Sequence, residues 1–385
     1  MNLICLDEAR TILSDLIAIP SVNPMDRPYK ATEPVERKVS DYIEGIFRPY
    51  GISATRHSCS PMHESLLVAI PGKTEGPCTL LEAHMDTVPA DDWMDTAFTP
   101  RIAGQIIYGR GACDDKGPLT SMILAVRSIL EDGMVPPHPV AFLAAGDEEY
   151  AQKGIKHFAS LSHPLCRAVI GEATDLVPIV QHNGTVRWDI TVHGRSAHTS
   201  RPELGCNAIL GAMEVIRALH EHQQMLRAKL SNPLVYGPTL TVTMIRGGRT
   251  RNAVPDECTL AVDFRVTPGL NLVEARQGVI DALKSVPYTI SHSETQLMTP
   301  PLSTSPSDPF CTSVLEICRR VTGRSDLQLS GAPWGTDASW VADRAPTVVL
   351  GPGTTETAHA VNECTDLAQV VDGAVVYRDI IMNEV

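Results

Sequence analysis

The sequence predicts an α/β fold, a mostly parallel sheet with helices on both faces, into which a smaller α+β domain is inserted. Short apolar runs typical of strands alternate with amphipathic segments typical of helices, as they do in parallel sheets. Acidic residues and histidines directly follow several of these runs. In the middle of the chain the order becomes strand, helix, strand, strand, helix, which is typical of a ferredoxin-like α+β domain.

The predicted helices rest on the spacing of apolar residues. In residues 7–19 apolar side chains recur at helical spacing until Pro20 ends the segment. The same criterion predicts helices at 35–50, 119–130, 207–219 and 272–284.

The predicted strands are short apolar or alternating runs between turn residues. They lie at 66–70, 78–83, 139–145, 167–170, 185–192, 240–245, 259–266 and 347–350. From the change in element order we expect the inserted domain at 185–293, with 1–184 and 294–385 forming the first domain.

Composition and charge narrow the class of protein. With 385 residues, 43% hydrophobic and 20% charged, the chain is long and apolar enough to bury the cores of two globular domains. Its 45 acidic residues outnumber 32 Lys and Arg, a formal charge of −13. This balance argues against a nucleic-acid or membrane partner.

The ten cysteines form no CxxC pair and no regular framework. Such scattered cysteines indicate free thiols in a reducing compartment. We find no signal peptide and no apolar run of membrane-spanning length. The expected location is therefore the cytoplasm.

Residues 109–117, Gly-Arg-Gly-Ala-Cys-Asp-Asp-Lys-Gly, place two carboxylates side by side between glycines. A solvated surface turn would also give this pattern. Because neighbouring side chains in extended backbone point to opposite sides, we expect only one of Asp114 and Asp115 to face the site. We expect Asp114 to bridge two metal ions whose shells are completed by clusters elsewhere in the chain.

Those clusters follow strands, where ligands bind in parallel sheets. In His84-Met85-Asp86, residues i and i+2 share a side, so Asp86 can accept the second ring N–H of His84. A capped strand end with a surface histidine is the alternative. Glu148 and Glu149 repel each other unless a cation is present, and one can ligate while the other takes a proton from water. Acids at a helix N-terminus would look similar.

Three further residues are weak signals alone. Glu172 and His359 could each be ordinary surface residues, and His198 competes with His193 as an oxyanion donor. Taken jointly, two histidines and three carboxylates suit two zinc ions, with cobalt or manganese as possible substitutes. The expected ligands are His84, Asp114, Glu149, Glu172 and His359.

In order and spacing, six motifs resemble the M20 family of dinuclear zinc amidohydrolases and peptidases, of the acetylornithine deacetylase and succinyl-diaminopimelate desuccinylase type. The resemblance spans nearly the whole chain. The motifs are Glu-Ala-His-Met-Asp-Thr-Val-Pro (82–89), the nonapeptide 109–117, Gly-Asp-Glu-Glu (146–149), Gly-Glu-Ala-Thr (171–174), His-Gly-x-x-Ala-His (193–198) and Gly-Pro-Gly with Ala-His (351–359).

The resemblance implies a role for each matching residue. His84 and Glu172 would hold one zinc, Glu149 and His359 would hold the other, and Asp114 would bridge the two ions. In this family the peptide bond between the residues that match Asp114 and Asp115 is typically cis. Glu148 would be the general base, and Asp86 would orient His84. His198 would stabilise the oxyanion in the active site of the partner subunit of a homodimer. The substrate carboxylate would be bound by Asn252 and Arg265, with Arg251 as a helper.

The implied activity is cleavage of the amide bond of an N-acyl amino acid by a metal-bridged hydroxide. A dipeptidase or carboxypeptidase with the same site is the alternative, and a catalytically silent binding protein is the alternative from another class. Two departures from the family pattern remove no ligand: Ala173 replaces the usual proline, and the motif at 146–149 begins Gly-Asp rather than the commoner Thr-Asp or Ala-Asp. A third departure leaves the substrate open, because 334–339 read Trp-Gly-Thr-Asp-Ala-Ser where acetylornithine deacetylases tend to carry Cys-Thr-Glu-Ala.

Overall fold

A computed structural model describes residues 4–25, 27–30, 32–230 and 232–384. The helices are α1 (Leu6–Ile17), α2 (Arg37–Phe47), α3 (Met94–Ala97), α4 (Lys116–Glu131), α5 (Lys153–Ser160), α6 (Ala208–Lys229), α7 (Leu272–Leu283), α8 (Pro309–Thr322) and α9 (Leu367–Met382). The strands are β1 (Ala54–Ser60), β2 (His63–Ile70), β3 (Cys78–His84), β4 (Arg101–Ala103), β5 (Ile106–Tyr108), β6 (Val140–Ala145), β7 (Leu165–Ile170), β8 (Ile179–His182), β9 (Gly184–His193), β10 (Thr239–Gly247), β11 (Glu257–Val266), β12 (Thr289–His292), β13 (Leu297–Thr299), β14 (Leu302–Ser303), β15 (Ser330–Ala332), β16 (Thr347–Val349) and β17 (Cys364–Asp366).

The chain divides into two compact units. The larger contains residues 1–180, 304–330 and 336–385, and the smaller contains 181–303 and 331–335. The sequence placed the insertion at 185–293. The smaller unit begins at residue 181, and it ends later, at residue 303, because it includes β13 and β14, which are too short to show a strand pattern.

The larger unit is built on a mixed sheet in the order β1-β2-β6-β3-β7-β16. The last four strands are mutually parallel, whereas β1 and β2 are antiparallel to their neighbours. Strand β6 is buried along its whole length, which explains its continuous apolar run rather than an alternating one. The predicted mostly parallel α/β sheet flanked by helices is confirmed.

Parallel pairing brings the carboxyl ends of β3, β6, β7 and β16 to one edge of this sheet. Helix α4, which follows residues 109–117, is buried along most of its length and packs on β3 and α9. The loops that leave the four strands therefore start from a rigid base.

The smaller unit has an antiparallel sheet in the order β10-β11-β9-β12, with α6 and α7 packed on it. In chain order the elements run β9-α6-β10-β11-α7-β12, the ferredoxin-like arrangement. Trp188 and Phe264 lie in its buried core. Helix α6 extends ten residues beyond the predicted 207–219, because the polar run after Leu219 hides buried His222 and partly buried Leu226.

Two long helices were not predicted. The N-cap residue of α8 is Asp308, whose carboxylate accepts the Phe310 N–H at 2.8 Å, and that of α9 is Asp366, whose carboxylate accepts the Ala368 N–H at 2.8 Å. In α9 buried apolar residues occupy most of the circumference, so the sequence shows no clear polar face. Within the described residues, no helix is both long enough and apolar enough to span a bilayer.

Candidate metal centre

The five expected metal ligands come from five different segments of the larger unit. His84 ends β3, Glu149 follows β6, and Glu172 follows β7. Asp114 lies just before α4, and His359 lies in the loop between β16 and β17. Residues far apart in the sequence thus meet at the carboxyl edge of the sheet, as expected for a parallel α/β fold.

Potential ligand atoms form two clusters that share Asp114. One cluster contains His84, Asp114, Asp115 and Glu172, and the other contains Asp114, Glu149 and His359, with the ligand atoms of each within 4.8 Å of one another. Asp114 Oδ1 lies 3.0 Å from His84 Nε2, and Asp114 Oδ2 lies 3.1 Å from His359 Nε2. The two oxygens of one carboxylate therefore face two separate positions.

Both aspartates of the nonapeptide face the first cluster, so the prediction that only one would do so is wrong. Asp115 has φ −127° and ψ 17°, which is not the extended backbone on which that prediction depended. The peptide bond between Asp114 and Asp115 is cis, as the resemblance implied. Asp115 Oδ2 also accepts the backbone N–H of His84 at 3.0 Å, which fixes the end of β3.

The second ring nitrogen of His84 contacts the backbone of Asp86 rather than its carboxylate. His84 Nδ1 lies 2.9 Å from the Asp86 carbonyl oxygen and 3.7 Å from Oδ1, too far for a hydrogen bond. This corrects the expected contact, because the carboxylate has other donors. It accepts the side-chain amide of Asn23 at 2.8 Å and the backbone N–H groups of Glu148 and Glu149 at 3.1 and 3.2 Å.

A buried polar network supports the Asp147-Glu148-Glu149 turn, and the sequence did not reveal it. Asn23 donates to Asp147 Oδ1 at 2.9 Å, and His63 Nε2 lies 3.4 Å from the same oxygen. His63 Nδ1 in turn lies 2.7 Å from Glu36. A Cβ on Gly146 would lie 2.4 Å from the carbonyl oxygen of Glu64, so only glycine fits before Asp147.

The sequence contains little that would identify these supporting residues. Asn23 lies in a proline-rich loop, and His63 and Glu36 sit outside any motif. Their partners are 27 to 124 residues away, so no local pattern links them.

Burial and mutual repulsion raise the pKa values of most carboxylates in the cluster. Burial, followed by the charge of Asp114, raises the pKa of Glu149 and raises that of Glu172 well above its usual range. Burial and the charge of Asp337 likewise raise the pKa of Glu148. A divalent cation would remove this cost, because it favours the ionised form of every nearby acid.

Hydrogen bonds between the histidines and the carboxylates have the opposite effect, because they favour the charged forms of both groups. Hydrogen bonds with Asp114 and Glu149 raise the pKa of His359 to about 10. Burial would raise the pKa of Asp114, but hydrogen bonds from His359 and His84 outweigh it and hold the pKa below its usual range. The raised pKa of His359 and the lowered pKa of Asp114 both reflect opposite charges brought together at a position that a metal ion could occupy.

Apart from Asp147, whose Oδ2 is ion-paired with Lys153 at 2.9 Å, three buried carboxylates have oxygens without a hydrogen-bond partner among the described residues: Glu82 Oε1, Asp115 Oδ1 and both oxygens of Asp337. An unpaired buried acid is costly unless it is protonated or next to a cation. Glu82 lies in the motif at 82–89 and Asp337 lies in the segment 334–339, but neither was predicted to be in the site.

The remaining predicted residues lie in the smaller unit. His198 is exposed, and its Nδ1 accepts the Ser200 N–H at 3.1 Å. His193, its competitor, pairs through Nε2 with Ser291 Oγ at 2.7 Å. The candidates for binding the substrate differ in their surroundings. Arg265 is held by Asp263 at 2.8 Å and by Thr185 at 3.2 Å, whereas Asn252 and Arg251 have exposed side chains.

The two clusters have the composition of a dinuclear site for a borderline metal. Each combines one imidazole nitrogen with carboxylate oxygens, the donors that zinc, cobalt and manganese accept. A carboxylate shared in this way can hold two metal ions close together. Such a pair can polarise a carbonyl group and activate a water molecule near pH 7.

Comparison with known proteins adds family relationships to this geometry. Residues 80–383 match the model of peptidase family M20/M25/M40. The acetylornithine deacetylase of Aliivibrio salmonicida is 34% identical over 308 residues, which cover 77% of this chain and 78% of that protein. Among solved structures, a Staphylococcus aureus tripeptidase has a TM-score of 0.80 at 20% identity, covering 99% of both chains. Bacillus subtilis YXEP, a dinuclear metal-binding M20 peptidase, has a TM-score of 0.72 at 15% identity, covering 98% of this chain and 97% of that one.

Proposed function

The chain belongs to peptidase family M20/M25/M40, and on that basis we propose that it is a metal-dependent hydrolase that cleaves the amide bond of an N-acyl amino acid. The observation that carries this proposal is the position of Asp114, whose two oxygens lie 3.0 and 3.1 Å from different histidines. The similarity to an acetylornithine deacetylase supports an acylated amino acid as the substrate class.

Two divalent ions fit the donors, and zinc is the one that we propose. One ion would be held by His84, Glu172 and Asp114, and the other by Asp114, Glu149 and His359. Zinc suits imidazole and carboxylate ligands, and cobalt and manganese are plausible substitutes. When bound, the metal pair supplies Lewis-acid polarisation of the amide carbonyl and lowers the pKa of the attacking water.

Glu148 is the proposed general base. Its backbone N–H is held by Asp86 at 3.1 Å, and its carboxylate is close enough to His84, Glu149 and Asp114 for their charges to affect its pKa. Glu148 would accept a proton from the attacking water and then deliver it to the leaving amine nitrogen. Asp86 supports this role by holding the backbone of both glutamates in place.

Arg265 is the best-ordered candidate for the substrate carboxylate. Asp263 and Thr185 fix its guanidinium, and an arginine fork matches the two oxygens of a carboxylate. Asn252 and Arg251 are exposed in the same unit and would assist by hydrogen bonding and charge.

A homodimer is proposed from the exposed surface of the smaller unit. Leu210 and Met213 on α6 are 53% and 60% exposed, and Ile245 on the edge strand β10 is 55% exposed. A Cβ on Gly247 would lie 3.1 Å from Ile209, so the start of α6 adjoins the end of β10. An apolar patch beside an open strand edge is suited to pairing with a second copy.

In this dimer His198 would donate to the oxyanion in the partner's site. Its exposure and its fixed Nδ1 leave Nε2 as the available donor. Heterodimers of His198→Ala and Glu148→Ala chains should recover activity that neither homodimer has, because one site then contains both groups. Verified heterodimers without recovery would show that His198 does not act in trans.

Cytoplasmic location is also a proposal. All ten cysteines are free thiols, which suits a reducing compartment. The charge of −13 makes a small molecule a better partner than nucleic acid or an anionic membrane.

The substrate class can be tested with a panel of N-acetyl and N-succinyl amino acids, dipeptides and tripeptides. The assays are run with added zinc, cobalt or manganese, and Glu148→Gln is the control for contaminating activity. We expect the highest kcat/KM on an N-acyl amino acid. Higher kcat/KM on peptides would establish the dipeptidase or carboxypeptidase alternative, and binding without turnover would indicate a silent homologue.

A further inference from the structure

Glu363 is a fully buried carboxylate that receives four donors from the nonapeptide. Its Oε2 accepts Arg110 Nη1 at 2.6 Å and the Gly111 N–H at 3.0 Å. Its Oε1 accepts the N–H groups of Cys113 and Asp114, both at 2.9 Å. The bonds to Asp114 and its neighbours fix the backbone from which the proposed bridging carboxylate extends.

The nonapeptide is held from its other side as well. A Cβ on Gly111, which has φ +83°, would lie 2.9 Å from the Lys116 side chain and 3.0 Å from Thr87. Arg110 also donates to the Pro89 carbonyl at 3.2 Å, so its guanidinium is anchored independently of Glu363. A shift of the Glu363 carboxylate would therefore be transmitted to the N–H groups of residues 111, 113 and 114, which depend on it for their acceptor.

Glu363 also belongs to the loop that carries His359. Its backbone carbonyl accepts the Gly109 N–H at 3.0 Å, and the next residue, Cys364, begins β17, which pairs with β5. Backbone and side chain of one residue thus join the His359 loop to the Asp114 loop. Asp114 Oδ2 and His359 Nε2, 3.1 Å apart, belong to these two loops.

We propose that Glu363, paired with Arg110, is a positioning residue that sets Asp114 against His359 before a metal ion binds. This inference rests on the proposed dinuclear function. It assigns Glu363 a specific task, which is to preorganise the position formed by Asp114, Glu149 and His359. A role in fold stability alone would leave metal affinity unchanged.

The test uses Glu363→Gln, which keeps the side-chain shape but places an amide against Arg110 or the backbone N–H groups. The matched control is Asp132→Asn, which removes the charge of another Arg–carboxylate pair (Arg378, 2.5 Å) at the far end of α4. In the metal-free proteins, amide hydrogen exchange at residues 111, 113 and 114 should be at least about tenfold faster in Glu363→Gln than in the wild type or the control.

Stepwise zinc titration of the same proteins supplies the second readout. We expect the weaker zinc equivalent of Glu363→Gln to bind about 10–100-fold less tightly, with no change in Asp132→Asn. If Glu363→Gln does not fold, Arg110→Lys should show the same change to a smaller extent. The inference would be overturned if Glu363→Gln showed wild-type exchange rates at residues 111, 113 and 114 together with zinc affinities within threefold of wild type. A wild-type chain that binds no zinc would instead defeat the proposed function.

Discussion

Asp86 and Glu172 follow neighbouring parallel strands at the same edge of the sheet, yet their surroundings differ. Asp86 accepts three N–H donors within 3.2 Å, and contacts with His84 and Asn23 outweigh burial and lower its pKa. At Glu172 burial and the charges of Asp114 and Glu148 act together and raise the pKa. Burial of an acid is therefore not by itself evidence for a metal site.

The distinction lies in what neutralises the charge. Asp86 is stabilised by protein donors and serves as a support, whereas Glu172 and Glu149 have raised pKa values and converge with Asp114 on a small volume. Acids of the second kind are suited to binding a cation. Four substitutions or changes of condition can break or sharpen this comparison.

The largest effect is expected from Asp114→Ala, because it removes a ligand from both clusters. Zinc content should fall from about two ions to below about one per chain, with hydrolysis no longer detectable. Elemental analysis of gel-filtered protein measures this. Asp326→Ala, which removes an exposed carboxylate, is the control, and unchanged zinc in Asp114→Ala would refute the bridge.

Glu148→Gln should keep both metals but lose about 10²–10⁴-fold in kcat, the usual contribution of a general base. Steady-state kinetics and elemental analysis on the same preparation separate the two properties. An active variant would mean that another group moves the proton.

Asp86→Asn should have a smaller effect, about 10–100-fold in activity, because it weakens a support rather than a ligand. The amide can no longer accept all three N–H groups, so the turn that carries Glu148 and Glu149 loosens. Kinetics with saturating zinc measure the change. A loss as large as that of Asp114→Ala would erase the distinction between the two kinds of acid.

The smallest expected effect is the pH dependence of stability in the chelated protein. The folded-state pKa values of Glu148, Glu172 and Asp115 are raised, so the folded state keeps protons that the unfolded chain loses above about pH 4. The free energy of unfolding therefore falls as the pH rises from about 4 towards the raised pKa values. His359, with its pKa raised to about 10, acts in the same direction, since its contribution is complete below about pH 6.5 and is lost through pH 10. The lowered pKa of Asp86 gives a contribution that is present above about pH 4 and constant in this range.

Urea unfolding at pH 5.5, 7.0 and 8.5 measures this dependence. The chelated protein should lose stability with increasing pH, and saturating zinc should reverse the loss most strongly at pH 8.5. Equal pH dependence with and without zinc would show that the clustered acids do not need a cation.

The sequence predicted the parts of this molecule that rest on local patterns. Buried strands such as β6 are apolar runs, and the residues that follow them necessarily share an edge, so His84, Glu149 and Glu172 were expected together. His359, which follows the apolar run at 347–350, was expected at the same edge, and Asp114 was expected from the paired carboxylates of the nonapeptide. The central sheet and the ferredoxin-like element order were predictable for the same reason.

The rest depended on contacts between distant residues. Nothing near Glu363 in the sequence indicates that it binds peptide groups about 250 residues earlier. Asp115 was misjudged because its backbone is not extended, and the acceptor for His84 Nδ1 was misjudged because the carbonyl of Asp86 lies nearer than its carboxylate. Local patterns place a residue on an element, but they do not give its hydrogen-bond partners.

X-ray diffraction at the zinc absorption edge, from crystals of the zinc-reconstituted protein, tests the central claim most directly. Two anomalous peaks about 3.5–4 Å apart, one facing each oxygen of Asp114, are the predicted result. One should lie beside His84 and the other beside His359. A single peak, or zinc bound away from Asp114, would contradict the account.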